Sequence, residues 1–274
     1  MKFLYFAALA ASLPVFSITG NFVKDFDHPY VGLAVFYDQT GAFSHRCSGS
    51  LLTSKVFLTA GHCIAGATSA RVYFQQDAGA HYDPATQHDP VSGYPDNCAP
   101  GTSNVCTTGS VLHNFGFNDF AGFPNTKDAG LVILDNSIFP GKYGKLANAA
   151  SLDKLAKQRG KQDLTFTSSG YGLSLSNPVH FLSLRERLMA SSQLVNLGNS
   201  LTDGFNLQTT GNPGNGKGGT CSGDSGGPVF YGPAQSNTIV AVTSFGLNSN
   251  CRGLDCSFRT DTQAVIAWIL ATVP

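Results

Sequence analysis

Charge is scarce in this chain. Only 12% of its 274 residues are Asp, Glu, Lys or Arg, against about 25% in typical soluble domains, and 17 basic side chains balance 17 acidic ones. No basic run stands out, so the electrostatic footprint of a nucleic-acid or anionic-membrane binder is missing. Beyond the N-terminus no segment approaches the roughly 20 consecutive apolar residues a bilayer span needs. The Asn-x-Ser/Thr acceptor does not occur, which argues against N-glycosylation. Spacing of the βαβ type is lacking too, and with it the case for a parallel sheet.

What the chain has instead is 31 glycines and short apolar stretches separated by turn residues. Val31-Gly32-Leu33-Ala34-Val35-Phe36-Tyr37, Leu131-Val132-Ile133-Leu134 and Thr238-Ile239-Val240-Ala241-Val242-Thr243 have strand length and β-branched enrichment. They predict an all-β, antiparallel fold. One helix is expected near the C-terminus, over about residues 262–271, where Val265, Trp268 and Ile269 recur at helical intervals to dock on the body of the protein.

The N-terminus opens Met1-Lys2-Phe3-Leu4 and stays apolar to about Phe16. One lysine before a short apolar run fits a secretory signal peptide over residues 1–20, cleaved after Ser17 or Gly20. The mature domain is then 21–274, and the expected setting is extracellular, with no membrane attachment after cleavage. Seven cysteines in a secreted chain imply disulfides and one leftover thiol. Spacing alone does not give their connectivity.

Two motifs carry chemistry. In Thr220-Cys221-Ser222-Gly223-Asp224-Ser225-Gly226-Gly227-Pro228-Val229 a serine lies between glycines, where a backbone can turn sharply and present its N–H groups. In Leu58-Thr59-Ala60-Gly61-His62-Cys63 a histidine follows a short apolar strand. A serine hydroxyl needs an adjacent base to become a nucleophile, and that base needs a carboxylate to hold its tautomer. Gly223 to Gly227 also satisfies the Gly-x-Ser-x-Gly elbow of α/β-hydrolases, in which the histidine follows the serine. Here the last histidine is His180, so that order is excluded and His, Asp, Ser remains. Asp128, at the head of Asp-Ala-Gly-Leu-Val-Ile-Leu, is the expected carboxylate, and Asp135 at the end of the same strand is the runner-up, better placed to cap the next turn.

Together these motifs resemble the chymotrypsin-like serine endopeptidases over roughly residues 31–269, with 75–126 unmatched. The Ala-Gly-His-Cys context is similar to that family's Ala-Ala-His-Cys, and Asp-Ala-Gly-Leu-Val to its Asp-Ile-Ala-Leu-Leu. The resemblance implies two six-stranded antiparallel β-barrels, about 21–140 and 141–274, meeting near residues 136–145. It implies a triad of His62, Asp128 and Ser225 and an oxyanion hole from the N–H groups of Gly223 and Ser225. Ser244-Phe245-Gly246 resembles the family's Ser-Trp-Gly, giving Ser244 as support for Asp128 and Phe245 and Gly246 as substrate-strand contacts. Ser169-Gly170-Tyr171-Gly172 resembles its Gly-Trp-Gly run. Bridges Cys47–Cys63 and Cys221–Cys251 match bridges of the family, Cys98–Cys106 would close a loop in the insertion, and Cys256 is left as a buried thiol. The implied partners are protein or peptide substrates and protein inhibitors. The expected state is a monomer with no metal and no organic cofactor; His81, Asp83, His88 and Asp89 are read as solvated loop residues rather than metal ligands.

Two departures shape the remaining expectations. No Ile-Val-Gly-Gly run stands between the leader and Cys47, so Asp224 is expected to find another partner and activity to follow leader removal without a further cut. In a tryptic pocket an aspartate lies six residues before the nucleophile; here Gly219 holds that place, followed by Thr220. An unpaired basic side chain would then be desolvated at a cost, which favours an apolar or small residue before the scissile bond. Lys217 offers an acidic-substrate alternative. A binding homologue without activity and a secreted esterase on the same fold are the competing readings.

Overall fold

The computed structural model describes residues 18–83, 93–94, 105–156, 163–177 and 180–273. Two antiparallel sheets dominate. The first runs Cys106–Gly109, Ser69–Tyr73, Val31–Tyr37, Phe43–Leu51, Val56–Thr59, Gly130–Ile133, Val111–Asn114 from edge to edge. Its two edge segments are consecutive in the chain, parted only by Ser110, so one bent strand borders both ends and the six-stranded barrel is nearly closed. Asp135 pins the bend, accepting from Thr108 Oγ1 at 2.5 Å and Ser110 Oγ at 2.9 Å. Its carboxylate thus caps the bend at residues 108–110 rather than the turn that follows it in the chain.

The second sheet closes completely. Thr165–Gly170 pairs with Leu188–Asn196, then Asn206–Thr210, Leu254–Arg259, Thr238–Gly246 and Pro228–Tyr231, which pairs back onto Thr165–Gly170. Closure leaves this six-stranded ring without an exposed edge. The expected pair of barrels is therefore present, as is the C-terminal helix Gln263–Thr272. Val265 and Ile269 of that helix are buried, and Trp268 lies 5.2 Å from the ring of Phe115 of the first barrel. No described helix is long and apolar enough to cross a membrane.

Each barrel is filled by the strands the apolar pattern marked. Val31–Tyr37 is buried on both faces, which explains why it reads as a continuous apolar run rather than an alternating one. Between the barrels lies the buried guanidinium of Arg187. Its Nε donates to Asp25 O and its Nη1 to Val31 O, Phe74 O and Tyr171 Oη, so the desolvated charge is hydrogen-bonded to both halves and ties them together. The chain entry also crosses: Thr19–Gly20 pairs with Gly218–Gly219, and Phe22–Lys24 pairs with Leu188–Ala190 of the second barrel. Ile18 is fully buried beside Leu188 and Ala190.

Disulfides join Cys47 to Cys63 and Cys221 to Cys251. Cys106 is disulfide-bonded, while Cys98 lies outside the described residues, and Cys256 is free and buried. His88 and Asp89 lie outside them too.

Candidate active site

His62 sits on a single turn, Gly61–Ile64, directly after the strand Val56–Thr59. Asp128 stands two residues before the strand Gly130–Ile133. These strands pair with Thr59 opposite Gly130, and that register alone brings the two side chains together. Asp128 is completely buried. Its Oδ1 accepts the His62 backbone N–H at 2.7 Å, and its Oδ2 is 2.9 Å from His62 Nδ1 and accepts from Ser244 Oγ at 2.5 Å. Three contacts on two oxygens fix both the carboxylate and the imidazole. Gly61, where the resembled family has alanine, is explained by crowding: a Cβ there would lie 2.6 Å from Phe117 Cβ.

The Ser225 loop is bound to the His62 segment through Ser48. Ser48 N donates to Ser225 O and Ser48 Oγ to Gly223 O, both at 2.8 Å, while Thr59 Oγ1 donates to Ser48 O at 2.8 Å. Gly223 and Gly226 have φ of +97° and +77°, the left-handed region in which an L side chain is strained. A Cβ on Gly226 would lie 2.1 Å from Thr59 Oγ1 and 2.6 Å from Ala60 N. Gly226→Ala is accordingly expected to destabilise the fold by at least about 2 kcal/mol, read as a lower urea midpoint at unchanged slope. An unshifted midpoint would count against this packing.

Within the loop, the N–H groups of Asp224, Gly226 and Gly227 donate to Cys221 O, Thr243 O and Asp224 O. Those of Gly223 and Ser225 donate to no described residue, which leaves them free to bind an oxyanion. The Asp224 carboxyl is buried, accepting from Gly172 N at 2.8 Å and Cys221 N at 2.9 Å, and burial pushes it up to about 7 in spite of both bonds. Both of these partners are backbone amides.

A cleft of about 290 Å³ opens beside Ser225, lined among others by Thr220, Ser244, Phe245 and Gly246. Gly219 lies just behind Thr220. Above the cleft, Phe245 packs against Phe120 and Phe123 at ring separations of 5.7 and 5.9 Å, and Phe117 bridges Phe120 to the His62 ring at 5.1 and 6.0 Å. Sequence reasoning missed Phe117, Phe120 and Phe123. Four phenylalanines within Phe115–Phe123 are the signal that could have marked them. Cys47, His62 and Cys63 form the one His/Cys cluster of metal-binding size among the described residues, but the two sulfurs are bonded to each other and offer no thiolate.

Sequence reasoning also passed over Ile18-Thr19-Gly20-Asn21. It is not the Ile-Val-Gly-Gly run that the region before Cys47 lacks, and all but its Asn21 falls inside the stretch read as leader. Its pairing with Gly218–Gly219, just ahead of the Ser225 loop, marks it as part of the folded body.

Two antiparallel barrels, with His62 and Asp128 beside strands of the first and Ser225 on a loop of the second, make up the chymotrypsin fold. The Trypsin family profile matches residues 18–269, and the chain belongs to that family. It is 30% identical to a chymotrypsin of Phaedon cochleariae over 84% of this chain and 72% of that one. It is 24% identical to the serine protease grass of Drosophila melanogaster over 93% of this chain and 67% of that one. A match to the CLIP domain-containing serine protease B10 of Anopheles gambiae, at 27% identity, spans 44% of this chain but only a third (33%) of that protein. Among solved structures the fold is similar to HL collagenase, with TM-score 0.64 and 17% identity over 94% of this chain and 97% of that one. It is also similar to the scabies mite inactivated protease paralogue S-D1, with TM-score 0.63 and 13% identity over 94% and 98%. Membership in the family implies protein or peptide substrates.

Proposed function

We propose that this chain is a secreted serine endopeptidase that works through an acyl-enzyme on Ser225 and is not restricted to Arg or Lys. The buried Asp128, committed by both oxygens to His62 and Ser244, is the observation that carries the reading. It holds the proton on His62 Nδ1 and leaves Nε2 as the base. Ser225 Oγ attacks the scissile carbonyl as His62 Nε2 takes its proton, and the oxyanion is held by the N–H groups of Gly223 and Ser225. His62 then gives the proton to the leaving amine. Water repeats the sequence in reverse and frees the acid product.

Of the two leader cuts, that after Ser17 fits better, because a cut after Gly20 would remove the buried Ile18 and the strand Thr19–Gly20. A monomer open to protein inhibitors at the cleft completes the proposal. A binding homologue without activity is the weaker reading, since all three triad residues and the unspent loop amides are retained.

The mature protein is to be treated with a fluorophosphonate and the adduct located by peptide mass spectrometry. A stoichiometric adduct on Ser225, absent from His62→Ala, is the expected result. Folded protein without an adduct would leave a binding homologue as the correct reading.

A further inference from the structure

The strand Phe43–Leu51 sends two side chains to the Ser225 loop. A strand alternates its faces, so Arg46 and Ser48 stand on the same one. Ser48 Oγ donates to Gly223 O, and the Arg46 guanidinium lies against the same residue. A Cβ on Gly223 would stand 3.5 Å from Arg46 Nε and 3.8 Å from its Nη2, with Gly172 Cα at 3.0 Å from the same point. Glycine enters the left-handed region about as readily as it leaves it, so Gly223 does not hold its φ of +97° unaided. These neighbours confine it, and with it the direction in which its N–H points.

The guanidinium is itself held from the stretch that the family resemblance leaves unmatched. Its Nη1 donates to Tyr94 Oη at 3.2 Å and its Nη2 to Ser183 Oγ at 2.8 Å. Both partners are neutral hydroxyls, and among the described residues no carboxylate pairs with Arg46. Tyr94 is buried against the rings of Tyr73 and Tyr82, at 5.6 and 5.2 Å, and the Arg185 guanidinium covers Tyr82 at 3.3 Å. Arg185 has a φ of +57°, strained for a residue with a side chain, and such strain persists only where the surroundings enforce it. Tyr82 and Tyr94 come from the insertion, whereas Ser183 and Arg185 precede the second-barrel strand Leu188–Asn196. The clasp thus joins both halves of the molecule and ends on Gly223.

We infer that Arg46 is a positioning residue for the oxyanion loop, and that the role of Tyr94 in the insertion is to aim it at Gly223. The inference rests on the endopeptidase reading, because it concerns how the oxyanion donors of that reading are held. A cation without a carboxylate, set beside an amide that meets developing negative charge, favours the transition state over a bound substrate whose carbonyl is still neutral. Its loss should therefore appear in kcat rather than in KM.

Arg46→Met and Tyr94→Phe test this, the second removing one oxygen from the ring that aims the guanidinium. Losing a whole oxyanion donor costs on the order of 10²–10³, so loosening one in Arg46→Met is expected to lower kcat at least about tenfold, with KM within about twofold. Tyr94→Phe should lower kcat about threefold with the same split, and nothing further when added to Arg46→Met, since the two act as a unit. Arg46→Lys, which keeps the charge, should recover part of the loss. Phenylboronic acid gives a readout without turnover. Ser225 Oγ adds to its boron as the hydroxyl proton passes to His62, and the tetrahedral boronate that results is negative. Its affinity should fall in Arg46→Met by the factor lost from kcat/KM. An unchanged kcat in both variants, or a loss confined to KM, overturns the inference. If Arg46→Met fails to fold, Tyr94→Phe decides by the same split. Fluorophosphonate labelling of the unaltered protein separates this inference from the reading beneath it. A labelled Ser225 with indifferent variants sinks the clasp and keeps the enzyme, while folded protein without label sinks both.

Discussion

Asp128→Asn is expected to lower kcat by about 10⁴-fold without unfolding the protein, the scale on which a triad loses function when its histidine is held in the wrong tautomer. The hydrogen-bond geometry forces that outcome. Asp128 Oδ1 accepts the His62 backbone N–H, while Oδ2 faces His62 Nδ1 and the Ser244 hydroxyl. An asparagine has one oxygen and one NH₂ to place there. With its oxygen at the Oδ2 position, the NH₂ would oppose the backbone N–H of His62, donor against donor in a buried site, at a cost of about 1–3 kcal/mol. The reverse orientation satisfies every group: oxygen to the backbone N–H, NH₂ to His62 Nδ1, and the Ser244 hydroxyl turned to accept. It also obliges Nδ1 to be the acceptor and puts the imidazole proton on Nε2, where it faces the serine and cannot receive a proton from it. Steady-state kcat together with the thermal midpoint checks this. A large loss of midpoint, or a rate within tenfold of the unaltered protein, would mean the carboxylate does not orient His62. Ser244→Ala should have a much smaller effect, since it leaves both His62 contacts intact.

The architecture and the candidate site's carboxylate–imidazole pair were legible because each rests on short-range signals. His62 and Asp128 follow and precede apolar strands, and the Thr59–Gly130 pairing does the rest. Ser225 declares itself by the glycines that its loop geometry requires. Pairing across the fold was not legible. Asp255 is thirty positions beyond Ser225, and nothing in its own neighbourhood says that its carboxyl meets Gly219; only the closure of the second barrel does. The phenylalanines over the cleft fell in a stretch with no recognisable spacing, and their role depends on Phe245 coming from the other barrel. Ile18 was hidden by its position at the end of the apolar N-terminal run, where composition does not distinguish a segment to be removed from one to be buried.

That segment leads to the second large effect. A chain that begins at Ile18 with a free amino group is expected to be at least about 100-fold more active than the same chain acetylated at Ile18, since losing a single oxyanion donor costs on the order of 10²–10³. Asp224 lies between the two residues whose amides would form that hole, and among the described residues its buried carboxyl has only backbone N–H groups within hydrogen-bond reach. Arg46 is one nearby cation that opposes the effect of burial at Asp224; an ammonium at the buried Ile18 is expected to add a direct partner, and that pairing would fix the loop from Gly223 to Ser225. A pH signature separates this from a mere effect of chain length. Asp224 and Asp255, at about 7 and about 6, both lie above the ordinary carboxyl value of 3.8. The folded state thus binds more protons than the unfolded one from about pH 4 to 7, and stability falls as pH rises through that window. Pairing with Ile18 would lower Asp224 and remove its share of the fall, while the Asp255 share stays in both chains. The free and acetylated chains should therefore have similar thermal midpoints near pH 4 and diverge steadily towards pH 8, with the free chain the more stable. Parallel midpoint curves and equal kcat/KM would show that Asp224 is satisfied by Gly172 and Cys221 alone, and that the Ile18 segment serves the fold but not the site.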